Sequence, residues 1–546
     1  MNRSDASISE EVRPDEHTPA MDWDGWGVAP QRKELSPSIR GLLAQVFKVS
    51  GESAPRSDVT SIRLRTSAVT TEGRAALAGI VGGDNVSTES ADRLVHAGGK
   101  STFDLLRRRS NDVQDAPDAV VRPGDHDEVL AVLRWCTDSG IAVVPFGGGT
   151  SVVGGLDPVR NGFPAVIALD LRRLNALTAV DPVSRTATLG AGLTGPEAEK
   201  LLATHGFSLG HFPQSFQFAS IGGFAATRSS GQASAGYGRF DDMVTHLKVA
   251  TPRGTLDVGR GPASAAGPDL RELFVGSEGA FGVITEVTLR VHPVPETTAY
   301  QAWSFPDFEA GATALRAVVQ AGAAPTVLRL SDEVETGVNL ARADSIGEQA
   351  ATPGCLAVTT FEGSAAHVAA RQAEASAILA AEGGTALGEE AARQWEEGRF
   401  NAPYLRDTLL DTGVLCETME TATQWSNLSA LRSAVTGALV ESLAGQGTPP
   451  LVMCHISHTY PTGASLYFTV ICAQADDPIA QWSKAKGAAG DAITNAGGTI
   501  THHHAVGRDH RPWMQAEVGD LGVEVLRAVK SALDPAGILN PGKLIP

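Results

Sequence analysis

Basic residues are in the minority in this chain. Lys and Arg number 44 against 62 Asp and Glu, a formal charge of −18. Non-specific nucleic-acid binding needs a basic face to displace counterions, so that function class is excluded. A local pocket for a small anion stays open, built from a few placed Arg or Lys. Cysteine is scarce and odd in number: Cys136, Cys355, Cys416, Cys454 and Cys472. Their spacings match no CxxC or zinc pattern, and reduced thiols in an intracellular protein are the expectation. No apolar run approaches the roughly 20 residues of a membrane span. The start, Met1-Asn2-Arg3-Ser4-Asp5, lacks the apolar core of a signal peptide. These absences predict a cytoplasmic protein that meets any lipid at a membrane surface. The Ala/Gly-rich composition suggests a bacterial chain.

What is present fits a globular protein with two or more cores: 546 residues, 42% hydrophobic and 19% charged. Residues 1–20 are polar and acidic, and are expected to be disordered. Trp23 and Trp26, in MDWDGWG, are read as an anchor for an N-terminal arm. From Asp118 the pattern alternates strand and helix. Asp125 caps a helix carrying Val129, Leu133 and Cys136 on one face. Short strands follow at residues 141–145, 165–170 and 186–192, and a long one at 282–291. Pro293 and Pro295 mark a boundary, after which Ala-rich helices and a few strands run to about 500. A helix is predicted over residues 478–495, stopped by Gly497-Gly498. Leu521, Val525, Val529 and Leu533 describe one face of a last amphipathic helix.

Three consecutive histidines, His502, His503 and His504, lie between a Gly-Gly pair and this last helix. Imidazole titrates closest to neutral pH, so metal binding, acid/base chemistry and a structural role all compete. In an extended strand His502 and His504 share one face and His503 takes the other. Three neighbours then do not readily converge on one ion, and no HExxH or CxxC accompanies them. No metal site is expected.

Glycine loops are the second signal. Pro145, Phe146, Gly147, Gly148, Gly149, Thr150 and Ser151 follow a predicted strand. Glycines admit positive φ and let a ligand approach the amides, which then form a nest for phosphate oxygens. The Lys-Ser/Thr ending of a P-loop is missing, and the fit to a GxGxxG helix start is poor. A second loop region holds Gln214, Ser215, Ser220, Gly222, Gly223, Thr227, Arg228, Ser229 and Ser230. A third holds Glu278, Gly279, Ala280, Phe281, Gly282, Val283 and Ile284. Together they predict a large phosphate-bearing cofactor held mostly by backbone. The set PFGGGTS, GGF…TRSSG…YG, GSEGAFGVIT and NPGKL resembles the FAD-binding domain of the vanillyl-alcohol oxidase/PCMH superfamily. The first loop has no histidine to which flavin attaches, so FAD is expected to be non-covalent.

Within that superfamily the chain is most similar to the alkylglycerone-phosphate synthase (alkyl-dihydroxyacetonephosphate synthase) family. The resemblance runs from about Met21 to Lys530, through MDWDGWG, HFPQSFQFASIGGF, MVTHLKVATPRG, VLRLSD, APYLRD, TYPTGASLYF and HHHAVG. It implies exchange of the acyl chain of acyl-dihydroxyacetone phosphate for a fatty alcohol, without net redox change. Arg406 matches the substrate-binding arginine, and Arg329 a second arginine needed for activity. For Arg329 a salt bridge with Asp332 is the alternative. Tyr467 matches the acid/base tyrosine. His502, His503 and His504 are implied as a phosphate or acid/base site beside the flavin. His455 and His458 stand where Arg and Gln are usual, and Ala505 where glycine is usual. The ending ILNPGKL looks more like the flavin-linked D-lactate and glycolate dehydrogenases. An FAD-linked oxidase or dehydrogenase of a 2-hydroxy acid is therefore the second reading.

The resulting expectation is an α+β protein in five parts. These are a disordered tail (1–20), an N-terminal helical region (21–114), a PCMH-type FAD-binding domain (115–296), an antiparallel-sheet cap (297–500) and a C-terminal segment returning to the flavin site (501–546). The partners implied are a lipid-like phosphate ester, a fatty alcohol, a membrane surface and a second copy of the chain.

Overall fold

The computed structural model describes residues 11–53, 56, 59–113, 115–338 and 353–546. Strands β1 (Val86–Ser87), β2 (Ala119–Val121), β3 (Ala142–Phe146) and β4 (Val166–Asp170) form one sheet in the order β1-β2-β4-β3. β2 and β3 both run parallel to β4. Their near-continuous apolar sequences follow from this, because a central parallel strand is buried on both faces. The crossover helix His126–Ser139 is capped by the Asp125 side chain, which accepts from the Glu128 amide, and ends at Gly140 with φ 61°.

Strands β5 (Leu177–Asp181), β6 (Thr186–Gly190), β8 (Val244–Thr251), β9 (Gly254–Val258) and β10 (Val283–Arg290) make an antiparallel sheet in the order β5-β6-β10-β8-β9. The short β7 (Phe207–Ser208) and β11 (His292–Pro293) pair beside it.

The third sheet has seven antiparallel strands: β12 (Thr297–Phe305), β13 (Val327–Ser331), β14 (Cys355–Gly363), β15 (Thr385–Gly388), β16 (Val414–Gln424), β17 (Leu451–Thr459) and β18 (Gly463–Ala473). Their order is β15-β12-β14-β13-β17-β18-β16. Helices Phe308–Gln320, Ala365–Ala381, Leu428–Ala444 and Pro478–Asn495 supply the apolar residues that cover one face. Period-two alternation decides what enters this core. Leu328 and Leu330 of β13, Cys454 and Ile456 of β17, and Leu466, Phe468, Val470 and Cys472 of β18 point into it. The residues between them stand on the opposite face of the sheet.

Two expectations change. Residues 11–20 are not a loose tail: Val12 exchanges backbone hydrogen bonds of 2.8 and 3.0 Å with Leu177, and the Thr18 amide donates to Glu197 Oε1 at 2.7 Å. Backbone pairing along the edge of β5 orders a sequence too polar to order itself. Residues 1–10 of that expected tail lie outside the described residues. The last helix, Met514–Leu533, is kinked at Gly519, and it turns Leu521 and Val525 outward at 72% and 53% exposure. Only Val529 and Leu533 of the expected face pack on the core. Among the described residues no helix is long and apolar enough to cross a membrane.

Candidate active site

A deep cavity lies between the glycine loops and the open face of the seven-stranded sheet. One cross-strand row runs beneath it, of which His455 and Tyr467 line it. Ser331 on β13 pairs with His455 on β17, His455 with Tyr467 on β18, and Tyr467 with Glu420 on β16. Directly opposed residues share a face, so all four side chains stand on the side away from the helices.

Tyr467 stacks on His455 with ring centroids 4.9 Å apart, and faces the edge of His504 at 5.5 Å. Burial pushes its phenol up to about 12, so the hydroxyl is protonated at neutral pH. Arg329 Nη1 and Nη2 lie 3.0 Å from His455 Nε2 and Nδ1. Its carboxylate partner is Glu335, not Asp332, which pairs with Arg432 instead. Glu335 is fully buried. Burial alone would raise its carboxyl, but His455 and Arg329 beside it hold the group well below its usual range.

Arg406 comes from helix Ala402–Asp411, which has Pro403 in its first turn. Its guanidinium lines the cavity and is 7% exposed. Among the described residues its Nε has no partner, and one Nη makes only a 3.4 Å contact to Asp407. A buried cation so poorly paired is costly unless a ligand anion completes it.

The histidine triplet is not a strand. Residues 502–504 form a succession of bends around one buried carboxylate. The amides of His502, His503 and His504 donate to Glu420 at 2.6, 3.1 and 2.9 Å, and the Thr501 hydroxyl donates at 2.5 Å. Against a burial that would raise it, the three histidines keep the Glu420 carboxyl well below its usual range. His503 and His504 line the cavity, while His502 lies behind them with Nε2 at 2.6 Å from the Tyr460 hydroxyl. Burial lowers His503 to about 3 and His504 to about 4, so both are neutral imidazoles near pH 7. The extended-strand expectation fails because Glu420 collects successive amides, and a strand would send them to opposite sides. Two of the triplet rings then meet, with Nδ1 of His502 3.0 Å from Nδ1 of His503.

The opposite wall holds the loops. Residues 145–151, Gln214, Ser215, Ser220, Gly222, Gly223, Thr227, Ser229, Ser230, Glu278, Gly279, Gly282, Val283 and Ile284 all line the cavity. Three expected contacts do not. Arg228 turns away to pair with Asp241 at 2.8 Å and Glu272 at 2.5 Å. Ala280 and Phe281 are 2% exposed and belong to the core of the second sheet. Sequence reasoning missed Glu420, Glu335, Trp26, Trp395, Leu405, Leu409 and Ile471. The first two carried a signal, an acidic residue inside or beside an apolar strand, but not its partner.

The loop wall fits a flavin dinucleotide. A Cβ on Gly148 would stand 1.9 Å from the Phe218 carbonyl oxygen, and one on Gly147 2.2 Å from Ser220 Oγ. Only glycine allows the backbone to lie that flat against its neighbour and present its amides to a ligand. Ser230 Oγ and Gln232 Oε1, both on residues of the cavity wall, are buried and have no partner among the described residues.

Comparison with known proteins decides the family. Residues 117–258 match the model described as FAD binding domain, and residues 294–544 that of FAD linked oxidases, C-terminal domain. An alkyldihydroxyacetonephosphate synthase of Dictyostelium discoideum is 33% identical, covering 96% of this chain and 93% of its own. The chain belongs to the alkyldihydroxyacetonephosphate synthase family. A solved structure of an alkyldihydroxyacetonephosphate synthase superposes with a TM-score of 0.83 at 31% identity, over 96% of this chain and 99% of that one. The mitochondrial D-lactate dehydrogenase [cytochrome] of Arabidopsis thaliana is more distant, 27% identical over 85% of this chain and 78% of its own.

This member of the alkyldihydroxyacetonephosphate synthase family is an FAD-dependent enzyme. Its α+β architecture is a PCMH-type FAD-binding domain with a C-terminal domain built on the seven-stranded antiparallel sheet. The Dictyostelium relative is eukaryotic, so the bacterial origin read from composition has no support.

Proposed function

We propose that this chain exchanges the acyl group of acyl-dihydroxyacetone phosphate for a fatty alcohol. The fatty acid leaves as its carboxylate, the alcohol oxygen bonds to the same carbon, and one proton is released. Arg406 carries the reading: a buried guanidinium beside the flavin loops, with Nε unpaired, suits a phosphate monoester. Bound FAD supplies the reactive ring for an exchange with no net redox change. Arg406 holds the phosphate, and Arg329, kept in place by Glu335, sets the charge on the far side. Tyr467, stacked on His455, is the acid/base group for the proton on the carbon next to the ketone. His503 and His504 line the cavity as neutral imidazoles and orient the incoming alcohol by hydrogen bonding, with His502 buttressing them from behind. Leu405, Leu409 and Ile471 line the apolar side of the cavity, against which an alkyl chain packs and excludes water.

FAD is dissociable in this reading. His96, whose ring lies 4.3 Å from that of Phe146 in the glycine loop, has both nitrogens engaged, by Asp92 O and Asp170. Yellow colour staying with acid-precipitated protein would refute this. The enzyme works as a homodimer in the cytoplasm, at the membrane surface where its substrates reside.

The deciding assay supplies radiolabelled hexadecanol and acyl-dihydroxyacetone phosphate and extracts an alkali-stable ether lipid. Tyr467→Phe is expected to lower that product by about 10²–10⁴-fold with the flavin spectrum unchanged. Undiminished turnover would remove Tyr467 from the mechanism. The match to FAD linked oxidases keeps a 2-hydroxy-acid dehydrogenase as second reading, since an arginine fork also grips a carboxylate. Anaerobic bleaching of the flavin by D-2-hydroxy acids, without ether formation, would favour it.

A further inference from the structure

We propose that His458, His502 and His503 form a binding site for one divalent transition-metal ion, with zinc as the type. One ring nitrogen from each of the three lies within 4.8 Å of the other two. The hydrogen bonding around them settles which nitrogens are available. His458 Nε2 is 3.0 Å from the Gly231 carbonyl oxygen, which only accepts, so the proton sits on Nε2 and Nδ1 carries the lone pair. The hydroxyls of Ser457 and Ser465 lie 2.9 and 3.3 Å from that nitrogen and 2.7 Å from each other, so one of them donates to it and is displaceable. His502 Nε2 is engaged by the Tyr460 hydroxyl, which turns Nδ1 toward Nδ1 of His503 at 3.0 Å. Two imidazole nitrogens each about 2.0–2.1 Å from a tetrahedral zinc would be about 3.3 Å apart. Outer partners of this kind, a backbone carbonyl and a hydroxyl on the far nitrogens, are what orient metal-ligating histidines.

The site is a product of tertiary structure. Register shifts between Ile456 and Thr459, and the bulge there turns both Ser457 and His458 to the cavity. An all-imidazole set favours zinc, copper or nickel over magnesium or calcium. Glu420, 3.5 Å from His503 Nδ1, offsets the ion's charge. His503 lines the cavity, which leaves the fourth position open on that side. A bound ion takes the lone pair of His503 and so withdraws it from the incoming alcohol. That inhibition rests on the transferase reading; the binding does not.

The test uses the full-length, FAD-loaded protein after stripping with a chelator. Co²⁺ is titrated while absorbance to the red of the flavin bands is followed, and Zn²⁺ is then titrated by calorimetry. One equivalent per chain is expected. His458→Ala and His502→Ala should each abolish that step, and Tyr460→Phe, which touches only the outer nitrogen, should weaken it about tenfold. His367→Ala, at an exposed histidine, should leave it intact. No stoichiometric binding, or binding that survives in both alanine variants, overturns the site. Should those variants lose flavin and fold, the wild-type titration and the Tyr460→Phe comparison decide alone. No substrate enters these titrations. Zinc bound at one equivalent by a protein that makes no ether lipid even when metal-free would sink the transferase reading only, and ether synthesis by a protein that binds no zinc would sink the metal site only.

Discussion

His503 is held neutral by its surroundings, and that makes its contribution to stability depend on pH. Burial lowers it from 6.5 to about 3. Above about pH 6.5 neither the folded nor the unfolded chain is protonated there. Between these values the unfolded chain binds a proton that the folded chain refuses, so stability falls as acid is added. The slope is at most about 1.4 kcal/mol per pH unit for one such group. His503→Gln removes this titration. In urea unfolding with FAD saturating, the advantage of wild type over variant should shrink steadily from pH 7 to pH 5. Parallel stability curves would show that His503 is not buried neutral. The difference is needed because Glu278 and Asp157 are raised to about 7 by burial and act in the opposite direction over the same window. At this scale the sequence pointed to the triplet, and resemblance to Arg406 and Tyr467, and the structure places Arg406, Tyr467, His503 and His504 around one cavity. The environment that sets each charge was not legible in the sequence. Burial and partners such as Glu335 come from residues far along the chain or around a turn whose direction the sequence does not print.

Among the elements, β16 does the organising. Its alternation sends Leu415 and Met419 into the helix-covered core and Cys416, Thr418 and Glu420 to the cavity side. Glu420 then gathers three consecutive amides, which bends residues 502–504 away from the extended form. Glu420→Gln offers those donors a single acceptor oxygen and places an NH₂ group among them. A buried donor left unsatisfied costs about 1–3 kcal/mol, so the variant should melt earlier. The flavin environment beside His503 and His504 should change with it. A variant with unaltered melting temperature and flavin fluorescence would mean the carboxylate does not shape the loop. Element type was readable where periodicity was strong: the helix Pro478–Asn495 and the strand core Val283–Arg290 match their expected positions closely. The 502–504 segment was misread because its conformation is imposed by a carboxylate some 80 positions away in sequence.

Across the whole molecule, the chain closes on itself. After the seven-stranded sheet it returns to β3, where Val143 pairs with the backbone of Ile538 and Asn540 at 2.8 Å each. Asn540 Nδ2 donates to Glu278 O at 2.6 Å and Gly155 O at 3.1 Å, tying two loops of the flavin wall together. Asn540→Ala leaves both carbonyls buried without that donor, at a cost of about 1–3 kcal/mol each. The expected result is faster loss of FAD on dilution, followed by flavin fluorescence, with the seven-stranded sheet intact by circular dichroism. FAD affinity equal to wild type would show that the terminal segment only caps the fold. The sequence by itself determined the local choices: glycine where the backbone must lie flat, alternation in the strands, caps on the helices, and too few basic residues for nucleic acid. These follow from the conformational limits and polarity of single residues and their near neighbours. Only the tertiary structure decided that Ser331, His455, Tyr467 and Glu420 form one row, that His458 joins His502 and His503, and that Arg228 turns away from the cavity. Strand order, register and a one-residue bulge set those distances, and they arise from packing between segments that no local pattern encodes.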